Sequence, residues 1–461
     1  MVKVLNKQEL LDNAFSSTNR KVREIVLDAI EALLGEVEPK KVVKSQVQLT
    51  NETLIVGEKS FDLSSFNNIL IVGGGKASGF MAEALEEILG DRIKNGLIVV
   101  PKGTSCKYKT KKTAIHEASH PIPDNSSVEG ARKIVNLVSH AQEDDLVICL
   151  ISGGGSSLMT LPRTGILLEN EQKVTDLLLK CGATINEINT VRKHISAFKG
   201  GQLAKAAYPA TVLGLLFSDV IGDSLDIIAS GPTVPDSSSF EDANRILKRY
   251  DLLEKVPVSV KKVLSEGEKG LIEETPKKGD PIFKKVYNVV IGNNRLACQA
   301  AVKALKKSGL NAMFLSSFME GEAREVGTAL SALAKEVLTS CNPLPPPVGM
   351  VVGGETTVTV TGKGKGGRNQ ELALAAALKI EGLDKVVIAS ISTDGVDGPT
   401  DAAGALVDGE TLRHSRELML DAGMFMKNND SFEFFSRVGG LIYTGPTGTN
   451  VNDVTIMIVL Y

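Results

Sequence analysis

Short runs of valine, isoleucine and leucine alternate along this chain with segments that repeat apolar residues at helical spacing. The apolar runs are continuous rather than alternating with polar residues, which is typical of strands buried on both faces of a sheet. Strand-like and helix-like segments succeed one another at 68–72, 77–89, 96–100, 128–141, 145–151, 186–207 and 211–217. This order predicts an α/β fold in which helices cover both faces of a parallel sheet.

The length of the chain predicts two domains. At 461 residues it exceeds the size at which a single hydrophobic core keeps growing. Between 264 and 281 the alternation gives way to Ser-Glu-Gly-Glu-Lys-Gly and Pro-Lys-Lys-Gly-Asp-Pro, the composition of a loop or linker. Strand and helix patterns resume afterwards, including an apolar stretch at 350–360. We therefore predict one α/β domain over residues 1–265 and a second over residues 266–461.

Composition excludes several classes of partner. The net charge is −3 and no long basic block is present, so we expect no nucleic-acid partner. The longest apolar runs are about strand length, far below the roughly 20 residues of a membrane span, so we expect no membrane partner. The chain has five cysteines without metal-ligand spacing and lacks an apolar secretory signal, which predicts free thiols and a cytoplasmic location. A small-molecule substrate and a monomer or homodimer are expected.

Residues 361–371 read Thr-Gly-Lys-Gly-Lys-Gly-Gly-Arg-Asn-Gln-Glu and lead into a helical segment. Glycines let backbone N–H groups approach an anion closely, and a helix N-terminus adds the positive end of a dipole. Lys363, Lys365 and Arg368 add three cations. The pattern predicts a phosphate-binding loop, whose binding residues we take to be Gly364, Gly366 and Gly367.

Two further glycine turns follow apolar strands, Gly73-Gly-Gly-Lys76 and Ser152-Gly-Gly-Gly-Ser156. Turns after the strands of an open α/β sheet are where such folds bind ligands. The first turn lacks the spacing of a Walker A loop and is a poor dinucleotide fingerprint, because Ser78 replaces the last glycine. A tight turn with a solvated Lys76 remains the alternative. From these turns we predict as phosphate-binding residues Gly73, Gly74, Gly75, Ser152, Gly154, Gly155 and Ser156.

Two aspartates end buried strand patterns. Asp219 follows the strand 211–217, and Asp394 follows the strand 386–391. A carboxylate at the carboxyl end of a buried strand can hold magnesium or accept a proton from a hydroxyl group. A helix cap or a turn is the alternative interpretation, and we favour a turn for Asp397. We predict catalytic and metal-binding roles for Asp219 and Asp394 and leave open which of them takes which role.

Several short motifs then identify a family. In chain order they are Gly73-Gly-Gly-Lys-Ala, Ser152-Gly-Gly-Gly-Ser-Ser, Lys199-Gly-Gly, Ser218-Asp-Val-Ile-Gly-Asp, Ala229-Ser-Gly-Pro-Thr233, Gly353-Gly-Glu-Thr, Gly366-Gly-Arg-Asn-Gln-Glu371, Thr393-Asp-Gly-Val-Asp-Gly398 and Gly445-Pro-Thr-Gly-Thr-Asn-Val-Asn-Asp453. The chain resembles the class II glycerate 2-kinases, which have a MOFRL-type C-terminal domain. The resemblance covers nearly the whole chain. It departs at Gln202, where many relatives have arginine.

The resemblance implies a Rossmann-like N-terminal domain, a C-terminal α/β domain with a mixed sheet, and an active site in the cleft between them. It implies phosphorylation of D-glycerate to 2-phosphoglycerate by ATP with Mg²⁺. The catalytic lysine and arginine of the family correspond to Lys76 and Arg368, and its motif aspartates to Asp219 and Asp394. The sequence alone does not fix which hydroxyl is phosphorylated.

Two other functions compete with the kinase. The first is a reductase that acts on hydroxypyruvate or tartronate with NAD(P)H, a name attached to relatives of this family. The defective dinucleotide fingerprint and the missing ribose-binding acid argue against it. The second is a sensor that binds a nucleotide or sugar acid without turnover. The joint presence of Lys76, Arg368, Asp219 and Asp394 argues against a sensor.

Overall fold

The N-terminal helices pack with the C-terminal part of the chain rather than with the residues that follow them. The structure is a computed structural model that describes residues 2–461. Two compact units are present. The central unit is Pro39–Ile291, and the terminal unit combines the residues up to Glu38 with Gly292–Tyr461. The terminal unit begins with helices α1 (Lys7–Asp12) and α2 (Ser17–Glu36).

The central unit opens with helix α3 and a small antiparallel sheet, and its main sheet follows. Its elements are α3 (Pro39–Gln46), β1 (Val47–Thr50), β2 (Thr53–Val56), β3 (Lys59–Asp62), β4 (Asn68–Gly74), α4 (Ser78–Leu89), β5 (Ile93–Pro101), β6 (Thr113–Ala118), α5 (Asn125–Val138), β7 (Asp145–Ser152), α6 (Gly155–Leu158), α7 (Leu168–Lys180), α8 (Ile185–His194), α9 (Gln202–Ala207), β8 (Thr211–Phe217), α10 (Phe240–Arg249), α11 (Val258–Glu268) and β9 (Val286–Gly292).

The main sheet of the central unit has the strand order β6-β5-β4-β7-β8-β9, and the pairs from β6 to β8 are all parallel. Every residue of β7 and β8 is buried, because apolar side chains on both faces of the strands pack under helices. Val72, Val147 and Val212 belong to one core cluster under this sheet. The predicted parallel sheet is confirmed.

The rest of the terminal unit forms a second sheet and the helices that pack on it. Its elements are α12 (Asn294–Lys307), β10 (Asn311–Met319), α13 (Ala323–Ser340), β11 (Val348–Gly354), α14 (Arg368–Ile380), β12 (Val386–Ser392), β13 (Gly404–Asp408), α15 (Thr411–Glu417), α16 (Ala422–Lys427), α17 (Ser431–Val438), β14 (Leu441–Ile442) and β15 (Asp453–Val459).

The sheet of the terminal unit has the order β10-β11-β15-β12-β13-β14. Strands β10 and β11 are parallel, whereas the pairs from β11 to β14 are antiparallel. Its core includes Met350, Phe434 and Phe435, all of them buried. The mixed sheet that the resemblance implied is therefore confirmed. Within residues 2–461, no helix is both long and apolar enough to cross a bilayer.

Two segments differ from the periodicity of the sequence. The helical pattern at 186–207 forms two helices, since α8 ends at His194 and α9 begins at Gln202. Gly200 and Gly201, directly before α9, adopt φ of 57° and 79°, and these left-handed angles are incompatible with one continuous right-handed helix. The strand expected at 350–360 ends at Gly354, where φ is 155°.

The unit boundaries lie at Glu38 and at Ile291, whereas the sequence predicted a single boundary at residue 265. The loop-like segment after that residue is tied into the central unit by polar contacts. Oε1 of Glu274 lies 2.8 Å from Nε2 of the buried His194, and Thr275 donates to Asp236 at 2.9 Å. Strand β9 then completes the main sheet of the same unit.

An ion pair between Arg23 and Asp408 helps to explain why the N-terminal helices belong to the same unit as the C-terminal part of the chain. The apolar face of α2 packs on α12, and on the same helix Nε of Arg23 donates to Oδ2 of Asp408 at 2.9 Å. Their side chains are only 4% and 0% exposed. The guanidinium also donates to the carbonyl oxygen of Leu10 at 2.8 Å. The two charges are thus paired and hydrogen-bonded, as burial demands.

Substituting Arg23→Ala should destabilise the protein by about 3–5 kcal/mol, because it leaves the Asp408 carboxylate buried without a counter-charge. Urea unfolding measures the change. The matched control is Arg20→Ala on the same helix, whose partner Asp12 lies 2.8 Å away at the surface. We expect the control to unfold like the unsubstituted protein. Equal unfolding midpoints for the two variants would contradict this account of the terminal unit.

Candidate active site

Loops from four parallel strands meet at one edge of the main sheet of the central unit. They follow β4, β6, β7 and β8, and parallel strands present their carboxyl ends on the same side. The chain runs from β4 outward to β5 and β6 and then returns to β7 on the other side of β4. The β4–β7 pair is therefore the switch point of the topology, where open α/β sheets bind ligands. We call this edge the switch-point edge.

The turns after β4 and β7 contact each other so closely that only glycine fits. A Cβ atom on Gly73 would lie 2.1 Å from the carbonyl oxygen of Leu150, and one on Gly75 would lie 2.1 Å from Oγ of Ser152. The backbone N–H of Lys76 donates to the carbonyl oxygen of Gly153 at 2.9 Å. The two predicted phosphate-binding turns are thus adjacent. The side chain of Lys76, next to this contact, is half-buried.

The Ser152 hydroxyl holds the two turns together. Its Oγ accepts the backbone N–H of Ala77 at 3.0 Å and lies 2.9 Å from Oγ of Ser78. These contacts give Ser152 a structural task in addition to the binding role that the sequence predicts for it. That binding role stays a prediction.

Asp219 and His120 both lie against the glycine turn after β7. A Cβ atom on Gly153 would be 2.2 Å from Oδ2 of Asp219, and one on Gly154 would be 2.8 Å from Cδ2 of His120. Burial lowers the pKa of His120, and the positive charge of Lys76 lowers it further. The structure therefore brings Lys76, Asp219 and the glycine turn together at the switch-point edge and adds the imidazole of His120.

Arg368 is the first residue of α14 in the terminal unit and binds two carboxylates. Its Nε and Nη2 donate to Asp453 at 2.6 and 3.1 Å, and its Nη1 donates to Glu355 at 2.6 Å. Burial raises the pKa of Asp453 to about 7 although the arginine acts against it. Burial opposes the charged form of Arg368, yet the two carboxylates raise its pKa. Three of the five N–H donors of the guanidinium are used in these contacts.

Backbone amides of the loop 361–367 are occupied by another part of the terminal unit. The N–H groups of Gly362, Lys363 and Lys365 donate to side-chain oxygens of the segment 428–430 at 2.9–3.0 Å. A Cβ atom on Gly364 would lie 2.3 Å from that segment. Close packing therefore supplies a reason for glycine here that is independent of phosphate.

The N-terminus of α14 is capped from within the unit. The carboxylate of Asp397 accepts the backbone N–H groups of Asn369 and Gln370 at 3.1 and 2.9 Å. Cβ atoms on Gly366 and Gly367 would clash with Oγ of Ser431 and Cγ of Asp397, at 2.2 Å in both cases. Asp397 thus has a structural role, and phosphate binding by Gly364, Gly366 and Gly367 stays a prediction.

Asp394 follows β12 in the same unit and shapes a turn. Its Oδ1 accepts the hydroxyl of Ser392 at 2.8 Å and the backbone N–H of Val396 at 3.0 Å. This is the pattern of an aspartate that hydrogen-bonds the backbone two residues on. One carboxylate oxygen of Asp394 therefore stabilises a turn, which is the alternative interpretation given above. A catalytic role for Asp394 stays a prediction.

One or two of the carboxylates would suit magnesium together with a bound nucleotide. Within residues 2–461, no three histidine, cysteine, aspartate or glutamate side chains group as metal ligands. Mg²⁺ in phosphoryl-transfer sites is commonly held by one or two carboxylates together with phosphate oxygens and water. Asp219, half-buried against Gly153, supplies a donor of that kind.

Sequence reasoning missed three residues of these sites: Glu355, Asp453 and His120. The first two lie in the quoted motifs Gly353-Gly-Glu-Thr and Asn-Val-Asn-Asp453, which marked the family but were given no role. His120 follows strand β6. In a parallel sheet the loops after all strands lie at the same edge, so this position alone could have made His120 a candidate.

Comparison with known proteins adds the family. The chain matches the profile of a domain of unknown function, DUF4147, over residues 25–265, and that of the MOFRL family over residues 348–453. It is 44% identical to the glycerate 2-kinase of Pyrococcus horikoshii, over 95% of this chain and 97% of that one. It is 42% identical to the D-glycerate 2-kinase of Thermotoga maritima, with the same coverage. A relative from Agrobacterium vitis, 40% identical over 85% of this chain and 87% of its own, carries the provisional name hydroxypyruvate reductase.

Solved structures agree with the sequence relatives. A protein from Pyrococcus horikoshii OT3 superposes with a TM-score of 0.85 at 44% identity, over 95% of this chain and 98% of that one. The glycerate kinase of Thermotoga maritima superposes with a TM-score of 0.86 at 40% identity, over 95% of this chain and all of that one. The chain therefore belongs to the class II glycerate kinase family, in which a DUF4147 domain is followed by a MOFRL domain.

Proposed function

We propose that this chain is a glycerate 2-kinase that transfers a phosphoryl group from ATP to D-glycerate and yields 2-phosphoglycerate. The observation that carries the proposal is the near full-length likeness to relatives named glycerate 2-kinase and D-glycerate 2-kinase. A small-molecule substrate and a nucleotide are accordingly the expected partners. The geometry of the candidate residues supports this reaction class in three respects.

First, the switch-point edge offers a cation beside a carboxylate. Phosphoryl transfer requires alignment of the reactants and neutralisation of charge on the transferred group. Lys76, on the turn after β4, would act as a point charge on the nucleotide phosphates. Asp219 lies against the adjoining glycine turn, where a Cβ atom on Gly153 would be 2.2 Å from its Oδ2.

Second, Arg368 is oriented before any substrate binds. Asp453, with a side chain 9% exposed, fixes Nε and Nη2, whereas Glu355 on Nη1 is 40% exposed. The more exposed carboxylate is the one that an incoming phosphoryl group would replace most readily. A planar guanidinium matches phosphate oxygens in a two-point contact. Arg368 is therefore proposed to stabilise the phosphoryl group in transfer.

Third, the two aspartates supply a metal ligand and a proton acceptor. When bound with ATP, Mg²⁺ would neutralise charge on the phosphate oxygens, and Asp219 or Asp394 would hold it. The other aspartate would accept the proton of the glycerate hydroxyl. The expectation that Lys76 and Asp219 act with Arg368 and Asp394 on one substrate stays a prediction from the resemblance.

Incubation of the purified protein with Mg²⁺-ATP and D-glycerate should release ADP and form 2-phosphoglycerate, identified by ³¹P and ¹³C NMR. Excess EDTA should abolish turnover, because the phosphates then lose their counter-ion. Formation of 3-phosphoglycerate alone would show a kinase with different regiochemistry and contradict the assignment to the 2-hydroxyl.

The same preparation tests the reductase alternative, which a name among the relatives favours. We expect no oxidation of NADH or NADPH in the presence of hydroxypyruvate or tartronate. Cofactor oxidation at a rate comparable to that of glycerate phosphorylation would make the reductase the better assignment. ATP binding without turnover on a panel of hydroxy acids would instead support the sensor.

Substituting Arg368→Ala should lower kcat by about 10³ or more, as expected for an arginine that stabilises transferred charge. Steady-state kinetics with saturating ATP and glycerate measures the change. The control Arg437→Ala removes an exposed arginine of the same unit that pairs with Glu433 four residues away. A melting curve for each variant separates lost catalysis from unfolding, and near-normal turnover of Arg368→Ala would overturn its role.

Substituting Lys76→Ala should weaken ATP binding and lower turnover, because the nucleotide phosphates lose a positive charge. Lys112→Ala, which removes an exposed lysine paired with Asp91 in the same unit, is the control and should behave like the unsubstituted enzyme. An unchanged KM for ATP together with unchanged kcat in Lys76→Ala would place this lysine outside the nucleotide site.

A further inference from the structure

Arg192 on α8 carries a positive charge that the surrounding protein does not neutralise directly. Its Nη2 donates to the carbonyl oxygen of Ser156 at 3.2 Å, and its Nε is buried without a hydrogen-bond partner in residues 2–461. Burial lowers the pKa of Arg192, while the Glu171 carboxylate acts in the opposite direction. A buried polar group without a partner is unfavourable unless a ligand or water completes it.

Glu171, the carboxylate that acts on Arg192, has one oxygen engaged by other groups, whereas its Oε2 is buried without a hydrogen-bond partner in residues 2–461. Its Oε1 accepts the hydroxyl of Thr160 at 2.6 Å and lies 3.6 Å from Nζ of Lys199. The ammonium of Lys199 donates to the same threonine at 2.9 Å, and its side chain is completely buried. Burial lowers the pKa of Lys199 to about 8. Lys199 and Arg192 are therefore both influenced by the one carboxylate of Glu171.

A segment of strained backbone places the side chain of Ser230 against the turn that Arg192 contacts. Ala229, Ser230 and Gly231 adopt φ of 49°, 60° and 58°, three successive residues in the left-handed region. Such angles are unfavourable for residues other than glycine and cluster at functional sites. Oγ of Ser230 lies 3.0 Å from Oγ of Ser156 and donates to Asn189 at 3.0 Å.

Ser156 is thus held from two sides, by Ser230 at its hydroxyl and by Arg192 at its carbonyl oxygen. It belongs to the turn after β7 whose glycines contact Asp219 and His120. The uncompensated arginine therefore lies beside the switch-point edge. An anion bound there would lower the electrostatic cost of burying a guanidinium whose Nε has no hydrogen-bond partner in residues 2–461.

We propose that Arg192 binds the carboxylate of the hydroxy-acid substrate and thereby selects 2-hydroxy acids over neutral polyols. This inference rests on the proposed kinase function and names the group that recognises its acceptor. A guanidinium offers two parallel N–H donors to the two oxygens of a carboxylate. The 2-hydroxyl is carried by the carbon bonded to that carboxylate, so a fixed carboxylate restricts the 2-hydroxyl more than the 3-hydroxyl. Arg192 would therefore also favour phosphorylation at the 2-hydroxyl.

Arg163 is a second arginine with unpartnered nitrogens, and its surroundings differ. Its Nε and Nη2 are buried and have no hydrogen bond to any part of the chain that the structure describes, yet its guanidinium stacks over the ring of Phe240 at 5.3 Å. The ring face attracts the cation directly. Its Nη1 donates to the carbonyl oxygen of Glu273. Arg163 thus has a structural explanation and serves as the matched control.

Kinetics of Arg192→Gln, Arg192→Lys and Arg163→Gln test the inference, with D-glycerate and its neutral amide D-glyceramide as acceptors. For Arg192→Gln, we expect KM for D-glycerate to rise about 10²-fold while KM for ATP stays within about twofold, since a charged hydrogen-bond partner is lost on one substrate only. The preference for D-glycerate over D-glyceramide should shrink by a similar factor. The fraction of 3-phosphoglycerate in the product should increase. Arg192→Lys should be intermediate, and Arg163→Gln should match the unsubstituted enzyme.

A KM for D-glycerate within about threefold of the unsubstituted value would overturn the inference. A parallel rise in KM for ATP would overturn it as well, because Arg192 would then bind phosphate. Melting curves show whether the variants fold. If Arg192→Gln does not fold, Arg192→Lys decides, and an unchanged KM for D-glycerate in that variant counts against the proposal.

Calorimetric titration with D-glycerate in the absence of ATP separates this inference from the proposed function. Binding by the unsubstituted protein that Arg192→Gln loses supports carboxylate recognition even if neither protein turns over. In that case the kinase proposal fails while the carboxylate site stands. Equal binding by both proteins, or binding by neither, overturns the carboxylate site whatever the turnover.

Discussion

The close contact between the turns after β4 and β7 is the constraint on which the candidate site of the central unit depends. These strands are neighbours in a parallel sheet, so their turns leave the sheet side by side. Gly73 and Gly75 allow the two backbones to touch, with φ of 136° and 144°. A side chain at Gly75 would meet Ser152, and the backbone of Lys76 could not reach Gly153. Lys76 therefore has its position because Gly73 and Gly75 lack Cβ atoms.

Features that depend on local pattern were predictable from the sequence. Continuous apolar runs indicated the buried strands β4, β7 and β8, and Gly-rich turns after them indicated where ligands bind. The prediction of one helix over 186–207 overlooked that Gly200 and Gly201 are adjacent, a pair whose left-handed backbone keeps α8 and α9 from forming one continuous helix. Here the glycines outweighed the helical spacing of the apolar residues around them.

Features that depend on distant residues were not predictable from one sequence. The loop 361–367 has every local property of a phosphate-binding loop, but several of its amides donate to the segment 428–430. Likewise, nothing near Arg23 indicates that Asp408 is its partner. Such contacts are decided by the tertiary fold, which brings together groups whose spacing in the chain carries no pattern. The same limit applies to Glu355 and Asp453, whose importance shows only once Arg368 is placed between them.

The different surroundings of two arginines suit two different tasks. Arg368 already holds two carboxylates, so a substrate anion of ordinary charge gains little by displacing one of them. A group whose negative charge increases on the way to the transition state gains more, and catalysis depends on that difference. Arg192 contacts a carbonyl oxygen, and its Nε is buried without a hydrogen-bond partner in residues 2–461, so under the proposal it would be stabilised by any carboxylate that binds there. An arginine of the first kind is expected to influence kcat, and one of the second kind KM for the acceptor. Direct contact with a carboxylate, which Arg368 has and Arg192 lacks within residues 2–461, is therefore the difference on which the two proposed roles depend.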